Sequence, residues 1–529
     1  MALRRRRGAG PGRHRGGRAR VVALVAATYL GAGLLATWPA LRSADEAFLA
    51  QGLPARAGAA APGDHLQAVW QLWLPGHQLE RGEAPWLDPY SFQPEVDPRP
   101  NFAGWPFALV FWPLYALLGA IAGWNAFVLL GFLGAGAATF LWLRELGLGV
   151  PGALTGGLAF ALAPYLVTQS AMGHLLAPVS TLLPLALYAL ERARRGRDAW
   201  LAVAGASLAS IPLSGQVHLT LGAVPFFVLY AVLRRPVRIR AVAGCALAAV
   251  FGALAVYVAS IRGSVGAGRR SFEQVDRYSV DLLDFLARDP RHGLESAAFL
   301  GWVLPIVAIV GVVAVILQGR YGLAAALLVG ALVPCALALG ANLPGYRTLW
   351  EHVPGLDQTR VPARFMPIAC LCLAALVGVA ADRVRRHALV AGLLVLLALD
   401  LRLGVTRYHP TAADPSNDAY AALADAGPGR LLELPVHLPD RQEASIYLHY
   451  AMQAPRERPS GYATTAPRAA DATVRGLRED PCSARDLGVR YLAVFDPAKR
   501  PCSGVLVGED GPVSIFRLRK VSKSRDRRR

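Results

Sequence analysis

Apolar residues run in blocks along most of this chain, separated by short basic loops or longer polar segments. The blocks lie near residues 21–41, 124–143, 151–168, 174–190, 199–213, 217–233, 241–260, 298–318, 321–340, 364–381 and 388–404. A bilayer core takes about 20 consecutive apolar residues of helix. The pattern therefore predicts a mainly α, polytopic membrane protein with about 11–12 transmembrane helices. One further apolar stretch, 105–122, carries Pro106, Pro113 and several aromatics near its start. It is expected to be a re-entrant or interfacial helix.

The loops between the blocks set the sides. Arg192, Arg194, Arg195 and Arg197 form one basic loop, Arg234, Arg235, Arg238 and Arg240 a second, and Arg383, Arg385 and Arg386 a third. Lys/Arg-rich loops stay cytoplasmic. Both termini fit this rule only if 105–122 does not cross. Residues 1–20 then form a basic cytoplasmic tail and 21–404 the transmembrane domain, whose first outer loop is 42–104. Residues 405–529 form an extracytoplasmic domain with a basic tail. That last segment changes character: RLLELPV, RYLAVFD and VSIFRL read as strands. Stretches around 417–426, 441–452 and 468–477 read as helices, giving a small C-terminal α/β domain. On the outer side Cys482 and Cys502 could pair.

Composition agrees with a membrane protein. Of 529 residues 54% are hydrophobic and only 17% charged, with mean hydropathy +0.36; soluble domains carry about 25% charged residues. The net charge of +19 sits mostly in the two tails and is accompanied by no nucleic-acid-binding motif, so no nucleic-acid partner is expected. No metal-ligand spacing appears outside the apolar blocks, so no cofactor is expected, with a divalent metal left as an open alternative that no motif supports.

Candidate chemistry concentrates in the outer loops. In APGDHLQAVWQLWLPGHQLERG a helix beginning after Asp64 puts Asp64, Gln67 and Gln71 on one side, and Leu66, Val69, Trp70 and Trp73 on the other. Asp64 following Pro62-Gly63, with Gln67 three residues on, also matches a helix N-cap with a capping box; the two roles are compatible. Arg360 and Arg364 in TRVPARF would share a helix face at the outer end of a span, or would snorkel and be solvated. His174, Gln216 and His218 stand at outer helix ends, where polar side chains are functional candidates or satisfied structural groups. Asp88 in LDPYSFQP reads as a turn former or a binding residue. Trp70 reads as a membrane-belt residue or a platform for a sugar ring.

The order of these features resembles a known family. An Arg-rich start and one span lead to Gly63-Asp64-His65 and AVWQLWL, then HQLERGEAPWLDPYSFQP and Trp124-Asn125-Ala126-Phe127. LAFALAPYL with Met172-Gly173-His174, PLALYALERARR, YSVDLLDFLARDP, FLGW, HVPGLDQTRVPARF and RDLGVRYLAVFD follow. Over about residues 20–520 this is similar to bacterial multi-pass proteins of the YfhO type and related GT-C-like membrane proteins. The resemblance implies a GT-C-like fold in the bacterial inner membrane. It implies transfer of a sugar from a polyprenyl-phosphate carrier to a glycan or lipid acceptor on the outer side. Asp64 would be the catalytic base; Arg360, Arg364, His174, His218, Gln216, Asp88 and Trp70 would line the substrate site. The chain lacks the second acid of a D-x-D or E-x-D pair. Two rival readings are a non-catalytic scaffold of envelope glycan assembly and a transporter of lipid-linked glycan.

Overall fold

In the computed structural model the structure describes residues 12–56, 58–234, 236, 238–266, 270–291, 293–402, 408–496 and 502–519, with side chains from residue 17 onward. The arginine block of residues 4–7, Arg235 and the basic tail beyond residue 519 lie outside the described residues.

Each of the eleven apolar blocks is helical. Length divides them. Among the described residues five helices are long and apolar enough to cross a membrane: Gly17–Thr37, Ala108–Glu145, Ile239–Ile261, Tyr321–Ala338 and Pro362–Asp382. Val150–Ala161 and Pro164–Ala171 make a sixth span if taken together across a 44° bend, where Pro164 cannot donate to the preceding turn. Trp200–Leu213, Val217–Leu233 and Val303–Leu317 are apolar but shorter; at 1.5 Å per residue the longest reaches only about 26 Å. The block at 174–190 is split into Leu176–Ser180 and Leu182–Arg194. Spans of unequal length leave room for a site between helix ends.

The 105–122 stretch folds back on itself. The helix Ala108–Glu145 reverses at Gly119, whose φ of 75° is open to glycine without a Cβ penalty. A straight helix would hold Phe111 and Phe127 about 24 Å apart, yet their rings are 5.8 Å apart and nearly perpendicular. Gly123 lies so close to the backbone of Leu114 and Tyr115 that an added Cβ would stand 3.3 Å from it. The first arm thus folds back along the helix that follows. Trp112 Nε1 donates to Glu80 Oε1 at 2.7 Å, joining this arm to the end of the outer-loop helix Asp64–Glu80.

Pro362–Asp382 is the centre of the bundle, 89% of its most apolar window being buried. It meets Val150–Ala161 through Gly152, Gly156 and Gly378. A Cβ on Gly378 would stand 2.8 Å from the Gly152 carbonyl, so small residues here set how closely the helices approach.

Beyond the bundle, a four-stranded sheet has the order Arg430–Leu434, Val489–Val494, Val513–Leu518, Gly504–Asp510. The first pair is parallel and the others antiparallel. Helices Asp418–Asp425, Ser445–Gln453 and Arg468–Glu479 accompany it, and Cys482 is disulfide-bonded to Cys502. This region is sewn to the segment 42–104. Ala47–Ala50 pairs antiparallel with His409–Ala412, and the Arg458 and Ser460 backbone pairs with that of residues 90–93. Leu448, Ala451 and Met452 join the same apolar core as Leu66, Val69 and Trp73.

Candidate active site

Asp64 is the first residue of its helix and not its cap. The cap position is Gly63, and no side chain caps there. Gln67 does not complete a capping box; its Nε2 donates to the Tyr462 carbonyl at 3.0 Å. The Asp64 carboxylate is left for distant partners. Oδ2 accepts from His174 Nε2 at 2.9 Å, and Oδ1 accepts from the Tyr462 hydroxyl at 2.6 Å. Gln442 adds a third side-chain hydrogen bond. Burial acts to raise the pKa of this carboxyl. The hydrogen bond and charge of His174, with the bonds from Tyr462 and Gln442, outweigh burial and hold it at about 2. The Asp64 side chain remains 28% exposed, so a lone pair can still meet a ligand.

Gly173 sets the His174 contact. Its φ is +80°, and a Cβ there would stand 2.4 Å from the His65 backbone nitrogen. Only a glycine lets the turn at 172–174 press against the first turn of the Asp64 helix. His174 Nδ1 is held in turn by Gln169 Oε1 at 2.7 Å. Both ring nitrogens are thereby engaged, and Asp64 is the group with acceptor capacity to spare. His65 faces away: it is fully buried against Phe48, and burial pushes its pKa down to about 3, keeping it neutral.

A second cluster is cationic. Glu295, in the short turn Leu294–Ser296, accepts from Arg360 Nη2 at 3.1 Å and Arg364 Nη2 at 3.4 Å. The two arginines are not on one helix face as the sequence suggested. Arg360 precedes, and Arg364 lies in, the 3-10 turn Pro362–Phe365, and the shared carboxylate brings them together. Burial works to raise the Glu295 pKa, but Arg364 and then Arg360 prevail and lower it. His218 receives Arg364 Nη1 at 3.4 Å on Nδ1 and donates from Nε2 to the Gln358 carbonyl at 3.2 Å. Arg270 has no carboxylate partner among the described residues; burial, then the charges of Arg360 and Arg364, lower its pKa. An anion placed here would relieve that repulsion.

The two clusters lie within electrostatic reach. The charges of His174 and Asp64 act on Glu295, and those of Arg360 and Glu295 act on Tyr462. Beside His174 opens a narrow apolar groove walled by Trp124, Phe127, Phe132, Ala135 and Leu166. Among the described residues no three His, Cys, Asp or Glu side chains converge to hold a metal ion.

Other sequence candidates are placed elsewhere. Asp88 Oδ1 accepts from the Tyr90 and Ser91 backbone at 2.9 and 3.3 Å, closing its own turn. Gln216 begins the helix Val217–Leu233 and accepts the Thr220 hydroxyl on its carbonyl. Trp70 is buried against Trp73 and Tyr90, with little ring face open to a ligand. Glu295, Tyr462 and Gln442 went unread in the sequence. Glu295 and Gln442 lie in three-residue 3-10 turns and Tyr462 lies outside any helix or strand, so periodicity marks no side-chain direction at these positions.

The fold has counterparts among solved structures. The chain matches the arabinofuranosyltransferase AftD from Mycobacteria at TM-score 0.53 and 16% identity over 94% of its own length. The fold is GT-C-like. A second match is ArnT from Cupriavidus metallidurans, solved bound to undecaprenyl phosphate, at TM-score 0.50 and 14% identity. It covers 95% of this chain and 98% of that one, whereas the match to AftD spans only 40% of the AftD chain. No family model and no curated protein sequence matches. Together with five helices long and apolar enough to cross a membrane among the described residues, this fold is that of a membrane protein.

Proposed function

We propose that this chain is a bacterial inner-membrane glycosyltransferase that moves a sugar from a polyprenyl-phosphate carrier to a glycan or lipid acceptor. The observation that carries the reading is the adjacency of three parts: a partly open carboxylate at Asp64, a cationic cluster at Arg270, Arg360 and Arg364, and an apolar groove. A lipid phosphate needs the last two, and an attacking hydroxyl needs the first.

In this reading the N-terminus is cytoplasmic, and the Asp64 face with the sheet domain of residues 405–529 is extracytoplasmic. The isoprenoid tail lies along the groove walled by Trp124 and Phe132, and the phosphate meets Arg360 and Arg364. An acceptor hydroxyl hydrogen-bonds to Asp64, replacing the tyrosine hydroxyl on Oδ1. As its oxygen bonds to the anomeric carbon, the bond from that carbon to the phosphate oxygen breaks. The hydroxyl proton passes to Asp64. The negative charge on the departing phosphate is met by the arginines, which are already positioned by Glu295 and need no reorganisation. His174, held by Gln169, keeps the carboxylate aimed. The YfhO-type kinship is part of this proposal and rests on the order of the sequence motifs.

The test is transfer by the purified full chain, assayed with a panel of radiolabelled polyprenyl-phosphate sugars. Asp64→Asn should abolish transfer while leaving binding of undecaprenyl phosphate intact. Arg364→Gln should weaken that binding. Full transfer by Asp64→Asn would refute the catalytic role of Asp64, and no transfer by the wild type with any sugar of the panel would leave the scaffold reading.

A further inference from the structure

One exposed apolar feature belongs neither to a spanning helix nor to the site. The turn Leu282–Phe285 and the residue after it present Leu282, Leu283 and Leu286 at 71, 56 and 58% exposure. Three leucines side by side in water are costly. Their polar backbone is closed from within: Asp284 is buried and its Oδ2 accepts the Asp281 N–H at 2.8 Å. The N–H groups of Leu286 and Ala287 return to the Leu283 carbonyl. A turn with outward leucines and internally bonded backbone suits a medium that offers no hydrogen bonds.

Its neighbours identify that medium. Trp302 Nε1 donates to the Leu286 carbonyl at 3.0 Å, and Arg288 stacks over the Trp302 ring at 4.3 Å. Trp302 directly precedes the apolar helix Val303–Leu317, whose Ile306 and Ile309 are exposed. Asp400 accepts the N–H groups of Trp302 and Val303 at 2.8 and 2.7 Å. This fixes the helix start beside Leu397 and Leu401. The leucine turn thus continues an exposed apolar surface at the level of a helix end, where tryptophan and arginine mark membrane interfaces. Arg277 and Arg291, both exposed, flank it; Arg291 Nε stands 3.8 Å from Asp284 Oδ1 and its side chain is still half-exposed.

We propose that the 282–286 turn is a lipid-inserting anchor. Its leucines enter the headgroup–acyl boundary of the leaflet on the Asp64 side, and Arg277 and Arg291 meet lipid phosphates. The same loop continues to Glu295. Ser296 is tied back to the Tyr278 carbonyl at 3.0 Å, and Arg360 stacks over the Tyr278 ring. The anchor therefore ties the segment that orders the arginine pair to the membrane surface. The inference does not depend on glycosyl transfer.

The experiment places an environment-sensitive fluorophore on Leu283→Cys of the full chain in vesicles of phosphatidylethanolamine and phosphatidylglycerol. Background labelling of the native cysteines is subtracted. Leu286→Cys is a second insertion site. Leu506→Cys, half-exposed on the edge strand of the C-terminal sheet, is the aqueous control. The proposal expects quenching by shallow doxyl lipid severalfold stronger at 283 and 286 than at 506, with aqueous iodide showing the reverse order. Iodide quenching at 283 and 286 equal to that at 506, without doxyl quenching, overturns it. Protection from both quenchers also overturns it, because another protein or a second copy would then cover the turn.

Discussion

Tyr462 donates a 2.6 Å hydrogen bond to Asp64 across 398 residues of sequence. The hydroxyl comes from the C-terminal region and the carboxylate from the segment 42–104, so neither region holds the site alone. Removing the hydroxyl takes away one of the groups that lower the Asp64 pKa, while burial, which raises it, remains. Hydrogen bonds to charged groups are worth about 1.5–3 kcal/mol, or about one to two pKa units. Tyr462→Phe should move the acidic limb of the kcat/KM profile of transfer upward by that amount. An unchanged limb would mean that Asp64 does not govern it.

The same depression makes Asp64 a stabilising group with a defined pH window. Its carboxyl falls from 3.8 to about 2 on folding. The contribution is complete above about pH 4, where the carboxyl is ionised in both states. It is lost as pH falls through 2. The size is on the order of 2 kcal/mol. Thermal melts of the detergent-solubilised protein should be flatter between about pH 4 and 2 for Asp64→Asn than for the wild type.

Glu295 orders two arginines but also offsets their charge. Glu295→Gln should lower the melting temperature, because two partly buried guanidinium groups lose their shared partner. It should also tighten binding of undecaprenyl phosphate severalfold, because one like charge near the phosphate is gone. Weaker binding would mean that the geometry supplied by Glu295 outweighs its charge.

Gly173→Ala places a methyl group against the His65 backbone and a side chain at positive φ. The expected cost is about 1–3 kcal/mol of stability, with loss of the His174 contact. Transfer should fall at least as far as in His174→Ala. A Gly173→Ala protein with wild-type melting and activity would show that the approach of the turn is not needed.

Reduction of Cys482–Cys502 should lower the stability of the sheet region by about 3 kcal/mol. The pair can be tested by comparing thiol labelling with and without reductant, alongside melts of Cys482→Ser. Equal labelling in both conditions would place this region in a reducing compartment and reverse the proposed sides.

The fold was legible where period and length agree. Arg430–Leu434, Val489–Val494 and Val513–Leu518 are alternating or apolar runs between polar turns, and all three are strands. The edge strand Gly504–Asp510 was not visible, since its register is broken between Leu506 and Gly508 and its glycines read as loop. The Ala47–Ala50 strand is four buried residues with no alternation. At the site, Asp64 was singled out but its cap was misread. The local pattern Pro-Gly-Asp with Gln67 is the same whether the carboxylate turns to its own helix or to His174. Only a partner 110 residues away decides it. Glu295 carried no signal, because its meaning comes from two arginines that reach it from another loop.

The pairing of Ala47–Ala50 with His409–Ala412 has a consequence for biosynthesis. The first strand emerges from the ribosome hundreds of residues before its partner, and Asp64 emerges before Tyr462. Until that late segment has been made and delivered to the right side of the membrane, the chain has its bundle but an unfinished centre. A truncated or mis-inserted copy would sit in the bilayer as an inert protein rather than as an unregulated one, so the order of synthesis itself keeps partial products silent.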